Sequence, residues 1–274
     1  MRIGFVTCVQ LGVDVLKEIH EIGGSVDAII TLHDDLASSK SGRATLDAMA
    51  ERHGADLHKT RSINDPSTIA WLGKQRLDWL FIIGWSQIAR EQVLASARYG
   101  VLGMHPTLLP EGRGRASIPW AILKGLKRSG VTLFRLDSGV DTGPIGGHVE
   151  IPIADSETAS SLYMKAAEGH RRLIRENWSR IVDGNLRLVS QDEGQATVWP
   201  GRRPEDGKIS SSMTVAETDR LVRAVTVPYP GARWIDGRGD TWVIWAGNPQ
   251  TESEPGLLIP LVDGHFLARV YERV

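Results

Sequence analysis

The sequence predicts an α/β fold with a mainly parallel sheet, followed by a small domain that is mainly β. In roughly the first 190 residues, short apolar runs alternate with segments in which apolar residues recur at helical spacing. This alternation is typical of parallel strands covered by helices on both faces of the sheet. Beyond this region the pattern changes to several short β-like runs and one helix, so we expect two domains, residues 1–198 and 199–274.

Four strands and four helices are predicted in the first half of the chain. Residues 3–6 and 26–32 are apolar runs, and residues 79–83 form a fully apolar run that is typical of a buried parallel strand. The fourth strand, residues 101–105, ends on His105. The helices are expected at residues 13–22, 44–53, 65–75 and 89–96, and Pro66 lies in the first turn of the third.

The remaining elements complete the first domain and build the second. The first domain should continue with helices at residues 118–126 and 157–182 and strands at residues 130–136 and 147–153. A linker is predicted around residues 199–204, where prolines and arginines cluster. The second domain should contain a helix at residues 215–225 and strands at residues 232–235, 241–246, 257–262 and 265–271, with Asp263-Gly264 as a hairpin signal.

Charge, cysteine content and hydropathy exclude several classes of protein. The formal net charge is -1, so the overall balance does not favour nucleic acid or anionic lipid. The only cysteine, Cys8, excludes an internal disulfide and a cysteine-rich zinc site and suits a reducing compartment. No stretch approaches the roughly 20 apolar residues of a membrane helix, and no leader pattern follows Met1. We therefore expect a cytoplasmic protein with no membrane partner.

Residues suited to proton transfer lie near the ends of predicted strands. His105 opens the stiff loop at residues 105–110, and Asp141 lies in a downstream turn at residues 139–143. A histidine can exchange protons near neutral pH, and an aspartate beside it can accept from the ring or from water. Ligands of parallel sheets bind beyond the carboxyl ends of the strands, where both His105 and Trp85 fall.

Taken singly, these residues have structural alternatives. A lone histidine before proline is commonly a loop residue, and an Asp-Thr-Gly turn is commonly ordinary turn chemistry. An aspartic protease is excluded, because that site needs two such aspartates in β-rich lobes. No metal site is expected, since His33-Asp34-Asp35 is interpreted as a polar loop and the other histidines have no ligand spacing.

Five segments follow one another in a fixed order: residues 105–110 (HPTLLP), 113–116 (RGRA), 119–122 (PWAI), 130–133 (GVTL) and 136–143 (LDSGVDTG). Together they resemble the folate-dependent formyltransferases. The family includes methionyl-tRNA formyltransferase, glycinamide ribonucleotide transformylase and the sugar-nucleotide N-formyltransferases. The resemblance covers about residues 1–190 and implies a Rossmann-like formyltransferase domain that uses 10-formyltetrahydrofolate as co-substrate.

The resemblance implies a catalytic pair and reveals one departure. The family's usual set is Asn-x-His with a downstream Asp, which places His on His105, Asp on Asp141 and the Asn position on Gly103. His105 is expected to stabilise charge on the formyl oxygen or relay a proton, while Asp141 orients His105 and helps to take the amine proton. Loss of one donor to that oxygen can cost on the order of 3 kcal/mol, unless a backbone N–H, a water or another side chain replaces it.

Further site residues are implied by the same resemblance. For Arg113 and Arg115, a role in binding a substrate phosphate or carboxylate is one possibility, and a solvated or fold-closing role is the other. The pterin is expected between two loops that contain Trp85, Ser86, Gln87, Ile88 and Ala89 in the first and Asp137, Gly139 and Val140 in the second. The acceptor is expected near Gln10, Thr107, Arg113 and Arg115.

The C-terminal region favours a small amino-sugar acceptor over tRNA. It resembles the corresponding region of sugar-nucleotide formyltransferases, and from residue 201 onward it holds nine basic and ten acidic residues. Such a balance leaves no net positive charge to neutralise tRNA phosphates, and this neutralisation supplies most of the affinity for nucleic acid. We therefore expect an N-formyltransferase for an amino sugar, either nucleotide-linked or of the nonulosonic type.

Two alternatives to this interpretation stay open. One is methionyl-tRNA formyltransferase, which has a related but longer C-terminal region. The other, from a different class, is a folate-binding protein that lost catalysis together with the family's Asn. The sequence is also compatible with a homodimer.

Overall fold

The computed structural model describes residues 1–39, 43–249 and 255–274. In these ranges the chain forms two compact units, each assembled from three segments. The first comprises Met1–Arg113, Gly130–Glu150 and Ala167–Thr197. The second comprises Gly114–Ser129, Ile151–Ala166 and Val198–Val274.

A seven-stranded sheet forms the centre of the first unit. The first nine strands of the chain are β1 (Ile3–Val6), β2 (Ala28–Leu32), β3 (Asp56–Thr60), β4 (Leu77–Ile82), β5 (Ala97–His105), β6 (Arg113–Gly114), β7 (Arg128–Arg135), β8 (Ile145–Pro152) and β9 (Val198–Trp199). The sheet has the order β3-β2-β1-β4-β5-β7-β8. Its first five strands are parallel, and β7 runs antiparallel to β5. The predicted Rossmann-like α/β fold with a mainly parallel sheet is confirmed.

Burial on both faces explains the continuous apolar runs of the central strands. Every residue of β1 and β2 is buried, which is the pattern of parallel strands covered by helices. The helices are α1 (Gln10–Glu21), α2 (Asp47–His53), α3 (Pro66–Gln75), α4 (Glu91–Leu94), α5 (Ser117–Leu123), α6 (Ala159–Val182) and α7 (Val215–Val225). In α1 the apolar positions predicted from periodicity, Val13, Leu16 and Ile19, are all buried.

Three local predictions differ from the structure, each because a tertiary contact decides the backbone. The sequence does not predict β3, since its residues are mostly polar and only Thr60 is buried. The helix predicted at residues 89–96 is limited to α4, because Asn64 accepts from the Arg90 N–H and donates to the Ile88 carbonyl. The helix predicted from residue 44 begins at Asp47, because the Ala44 N–H donates to Cys8.

The second unit contains an antiparallel sheet and two helices that pack together. The sheet strands are β10 (Ala232–Ile235), β11 (Thr241–Pro249), β12 (Leu257–Leu261) and β13 (Gly264–Arg273), in the order β10-β11-β13-β12. The predicted hairpin joins β12 to β13, and the predicted mainly β C-terminal region is present. Thr214 caps α7 in a reciprocal capping box with Glu217.

Each unit is assembled from separate parts of the sequence, which a single division of the chain into two ranges cannot describe. Val198, which the sequence places at the end of the first domain, begins the last segment of the second unit. In addition, α5 lies in an earlier segment and packs against α7, so part of the predicted first domain belongs to the second unit. Among the helices in the described ranges, none has the length and apolar composition needed to cross a membrane.

Candidate active site

His105 is the last residue of β5, and contacts at both ring nitrogens fix its orientation. Nε2 lies 2.8 Å from the carbonyl oxygen of Gly112. Since a carbonyl oxygen only accepts, Nε2 carries a hydrogen and donates it. Nδ1 lies 3.5 Å from Oδ2 of Asp141, and the His105 side chain is only 10% exposed. The structure therefore brings together the two residues that the sequence predicts as a pair.

Asp141 lies in a tightly packed turn between β7 and β8. Its φ of 57° is in the left-handed region, which costs a residue with a side chain roughly 1–2 kcal/mol. Asp137 closes the turn, because its Oδ1 accepts from the Gly139 N–H at 3.0 Å and from the Thr142 hydroxyl at 2.6 Å. A Cβ at Gly143 would lie 1.7 Å from the Arg135 carbonyl oxygen, so the turn requires glycine there.

The electrostatics of the His105–Asp141 pair depend on the proton at Nδ1. Because Nε2 donates to Gly112, a neutral ring presents Nδ1 as an acceptor to the Asp141 carboxylate, and two acceptors repel each other. A ring that carries both protons, or a bridging water, makes the same contact attractive. The contact therefore places an acid–base histidine and a carboxylate side by side, an arrangement compatible with general acid–base chemistry on a bound substrate.

The two loops predicted to bind the pterin both begin at one core cluster. Trp85 and Leu136 pack against this cluster, which includes Leu80 and Val101. The indole Nε1 of Trp85 is buried with no hydrogen-bond partner among the described residues. Trp85 therefore offers a buried donor at the start of the first loop.

Polar contacts fix the first of these loops, and both loops expose an apolar side chain. Gln87 accepts from the Ile63 N–H at 2.9 Å and donates to the Arg61 carbonyl at 2.8 Å. Ile88 is 69% exposed and Val140 is 53% exposed. Ser86, Asp137 and Gly139 are also exposed, whereas Ala89 is half-buried.

The predicted acceptor residues of the first unit have different environments. Gln10 begins α1 and is exposed, and its amide donates to Asp14 at 2.7 Å. Thr107 is buried, and its hydroxyl has no hydrogen-bond partner among the described residues. Arg113 is also buried, and its guanidinium donates to Gln191 and Glu193. The structure thus favours the fold-closing alternative for Arg113.

Comparison with known proteins shows the family of this chain. A family model described as formyl transferase matches residues 5–176. A methionyl-tRNA formyltransferase from Agathobacter rectalis is 30% identical over 263 residues, which cover 94% of this chain and 84% of that protein. The chain belongs to the formyl transferase family.

Solved structures with the same fold include two kinds of protein. A variant of HypX from Aquifex aeolicus matches 98% of this formyl transferase with a TM-score of 0.73 and 19% identity, but this chain covers only 43% of it. WlaRD, described as a sugar 3N-formyl transferase, matches with a TM-score of 0.72 and 18% identity over 98% of this chain and 97% of its own. An N-formyltransferase from Helicobacter canadensis matches with a TM-score of 0.68 and 18% identity.

Gly103 lies two residues before His105, and the space above its Cα is filled. A Cβ built there would lie 2.7 Å from Cδ2 of Leu136, 3.3 Å from its Cγ and 3.5 Å from Cε1 of Phe134. Leu136 begins the segment that leads to the Asp141 turn. In this formyl transferase, the side chain of Leu136 therefore occupies the volume that a side chain at position 103 would enter.

This packing predicts that Gly103→Ala destabilises the fold. The added methyl group must displace Leu136, and overpacking of this kind typically costs about 1–3 kcal/mol. Gly73 is the matched control, because it lies in α3 with nothing within 4 Å of a built Cβ. We expect Gly73→Ala to raise the free energy of unfolding by up to about 1 kcal/mol, as alanine is the better helix former. Urea unfolding of both variants measures the contrast, and equal stability changes would contradict this account of position 103.

Arg115 lines a cavity of the second unit together with Arg202 and Arg203. The cavity has a volume of about 260 Å³, and the residues that line it include no carboxylate. Burial lowers the pKa of Arg202, whose guanidinium donates to the Asp206 carbonyl at 2.6 Å and lies 5.1 Å from the centre of the Trp120 ring. No carboxylate lines the cavity, although the charge of Asp206 acts on Arg202, and the three arginines together suit a phosphate or carboxylate ligand.

The polar residues His33, Asp34 and Asp35 contact each other or neighbouring side chains through side-chain polar atoms. His33 Nδ1 lies 2.6 Å from Asp35, and Asp34 accepts from Lys59 at 2.6 Å. The hydrogen bond from Lys59 holds the pKa of Asp34 below its ordinary value. In the part of the chain that the structure describes, no group of three or more His, Cys, Asp or Glu side chains is arranged to hold a metal ion.

The sequence did not indicate the residues that surround the His105–Asp141 pair. Gly112 contacts His105, and Gln191 contacts the carbonyls of Asp141 and Gly143. Gln191 lies 50 positions after Asp141 and belongs to no motif, so no local signal indicates it. Only the neighbouring RGRA segment at residues 113–116 marks this region as part of the family pattern.

Proposed function

We propose that this formyl transferase moves the formyl group of 10-formyltetrahydrofolate to the primary amine of an amino sugar. The observation that carries the proposal is the buried His105–Asp141 contact in a chain of this family. Support for the donor comes from relatives of the same fold, among them WlaRD with 5-N-formyl-THF and HypX with tetrahydrofolic acid.

The residues of the two predicted loops fit a folate. A pterin combines a flat ring with a polar edge, and such ligands bind in sites that are mostly apolar with a few polar groups to fix orientation. Ile88 and Val140 provide exposed apolar surface, and Trp85 Nε1 provides a buried donor without an acceptor. The exposed backbone around Gly139 can supply further polar contacts.

In the proposed mechanism, Asp141 and His105 divide the proton transfers. When bound, the folate supplies the formyl group whose carbon the amine attacks. Asp141 is the more exposed member of the pair, at 18% against 10% for His105. We therefore assign removal of the amine proton to Asp141, directly or through a water. His105, held at Nε2, donates from Nδ1 to the formyl oxygen as negative charge develops there. The proton taken from the amine passes to N10 of the folate as the C–N10 bond breaks, so that tetrahydrofolate leaves and the amide remains.

The substitution of the family's Asn by glycine leaves the formyl oxygen without one side-chain donor. A donor at such an oxygen contributes on the order of 3 kcal/mol. Because Leu136 fills the volume next to Gly103, we propose that the protonated His105 ring takes a larger share of this stabilisation. This makes the mechanism more dependent on the protonation of His105 than that of a relative with Asn.

Two observations favour an amino sugar linked to a phosphate-bearing group as acceptor. The arginine-lined cavity of the second unit suits an anion, and it makes Arg115 our candidate for binding the acceptor's phosphate or a related anion. In addition, WlaRD and the Helicobacter canadensis enzyme, which are matched over most of this chain, are described with dTDP and with dTDP-3-aminofucose.

The experiment that tests this proposal is an acceptor panel. Purified protein is incubated with 10-formyltetrahydrofolate and dTDP- or UDP-linked amino sugars, with free amino sugars as controls, and tetrahydrofolate release is followed. We expect release with at least one nucleotide-linked amino sugar. Folate binding without release for any amine would favour the non-catalytic folate binder instead.

Methionyl-tRNA is the second candidate acceptor, because the Agathobacter rectalis relative at 30% identity is a methionyl-tRNA formyltransferase. The near balance of charge beyond residue 201 argues against it. We therefore expect initiator tRNA to bind no more tightly than non-specific nucleic acid, about 10⁻⁴–10⁻⁶ M at physiological salt. Filter binding with initiator and elongator tRNA measures this, and submicromolar binding selective for the initiator would contradict the amino-sugar proposal.

A further inference from the structure

Gln191 contacts the backbone of the turn that carries Asp141. Its Nε2 donates to the carbonyl oxygen of Asp141 at 2.8 Å and to that of Gly143 at 2.7 Å. The amide group of Gln191 therefore binds the backbone on both sides of Thr142. These contacts act on the main chain, so they constrain the backbone conformation from which the Asp141 carboxylate projects.

Arg113 fixes the orientation of the Gln191 amide. Its Nε and Nη2 donate to Oε1 of Gln191 at 3.1 and 2.8 Å. Its Nη1 and Nη2 also donate to the Glu193 carboxylate at 2.9 and 2.7 Å. Because Oε1 faces only donors and Nε2 faces only acceptors, rotation of the amide by half a turn would oppose like groups at every contact.

The same network reaches His105 through the residue before Arg113. The carbonyl of Gly112 accepts from His105 Nε2, and the Gly112 N–H donates to the Thr197 hydroxyl at 2.8 Å. The Arg113 N–H donates to the Thr197 carbonyl at 2.9 Å. Two consecutive residues therefore connect to the proposed catalytic pair. Gly112 contacts His105 directly, and Arg113 connects to Asp141 through Gln191.

The His105–Asp141 contact needs such external support. At 3.5 Å it is at the outer limit of a hydrogen bond, and Asp141 has a left-handed φ that is unfavourable for a residue with a side chain. We infer that Gln191, oriented by Arg113, is a positioning residue that sets the distance between the Asp141 carboxylate and His105. This inference rests on the proposed function of the pair.

Replacement of Gln191 tests the inference. Gln191→Leu removes both contacts to the turn, and Gln191→Glu keeps the acceptor for Arg113 but replaces the donor with an oxygen that faces two carbonyls. We expect each to lower kcat by about 10- to 100-fold, as for a displacement of about 1 Å at a reacting group. The KM for folate should change less than kcat, because the hydrogen bonds from Gln191 to this turn end on the carbonyls of Asp141 and Gly143 and not on Asp137, Gly139 or Val140. Gln195→Leu is the matched control, since among the residues that the structure describes the side chain of this exposed glutamine donates to Asp192 and makes no hydrogen bond to the Asp141 turn.

A double variant separates positioning from general damage to the fold. If Gln191 acts through Asp141, then Asp141→Asn combined with Gln191→Leu should be no slower than Asp141→Asn alone. Multiplicative losses in the double variant would overturn the inference. So would wild-type kcat in a folded Gln191→Leu protein.

A measurement without turnover keeps this test independent of the proposed function. The ¹⁵N resonances of the His105 ring report the protonation and hydrogen bonding of each nitrogen. We expect Gln191→Leu to displace the Nδ1 resonance in the same direction as Asp141→Asn does, while Gln195→Leu leaves it unchanged. An Nδ1 resonance that responds to Asp141→Asn but not to Gln191→Leu would overturn the inference, even if no acceptor amine were found.

Discussion

Asp141→Asn should lower kcat for formyl transfer by about 10²–10⁴-fold, the range expected when one general acid–base group is removed. The amide has nearly the shape of the carboxylate, so the turn closed by Asp137 and the contacts from Gln191 can persist. What is lost is the negative charge that faces His105 Nδ1 and the base that accepts the amine proton. Steady-state kinetics with a nucleotide-linked amino sugar measures the loss.

Asp137→Asn is the control for this variant because it changes a carboxylate in the same turn. Its Oδ1 accepts from Gly139 and Thr142, and an amide oxygen can accept both hydrogen bonds. We expect kcat to fall by no more than a few-fold. Equal losses in the two variants would mean that the shape of the turn matters and that the charge of Asp141 does not.

His105→Gln should be at least as damaging, with a loss of about 10²–10⁴-fold in kcat. The glutamine amide can still donate to the Gly112 carbonyl, so the buried acceptor need not lose its partner. However, an amide cannot take up and release a proton near neutral pH, and it cannot carry the positive charge that we assign to His105. Binding of the folate, measured by calorimetry, should change little.

Because position 103 is glycine, the loss of kcat caused by His105→Gln should be larger than in a relative that has the family's Asn. With glycine at position 103, the ring is expected to provide more of the stabilisation of the formyl oxygen. His265→Ala, which changes an exposed histidine of β13, is the control for general effects. If His105→Gln keeps near-wild-type turnover while His265→Ala behaves as wild type, the proposed role of His105 is wrong.

The sequence predicts the fold well where burial repeats regularly. Continuous apolar runs locate β1, β2 and β4, and helical spacing locates α1 within three residues of its observed start. It fails at β3, where pairing with β2 supplies the strand although most of its side chains are polar. The same limit applies to α4, which Asn64 shortens through contacts that no local pattern encodes.

The sequence likewise predicts only part of the candidate site. His105 and Asp141 are marked by motifs, and the structure places them in contact. By contrast, the network that holds them depends on pairings such as Arg113 with Gln191, which are 78 positions apart. Arg113 illustrates the consequence. The sequence shows an arginine next to a glycine, but only the packed structure shows that its donors face Gln191 and Glu193.

The most direct test of formyl transfer follows the carbon itself. The protein is incubated with 10-formyltetrahydrofolate labelled with ¹³C in the formyl group and with the best nucleotide-linked amino sugar of the panel, and mass spectrometry locates the label. We predict that the label appears as an amide on the sugar, with one tetrahydrofolate released per formyl group, and that Asp141→Asn slows formation of this product by about 10²–10⁴-fold. If the folate binds but the label stays on it, or leaves only as formate with every amine, the protein is not the N-formyltransferase that we propose.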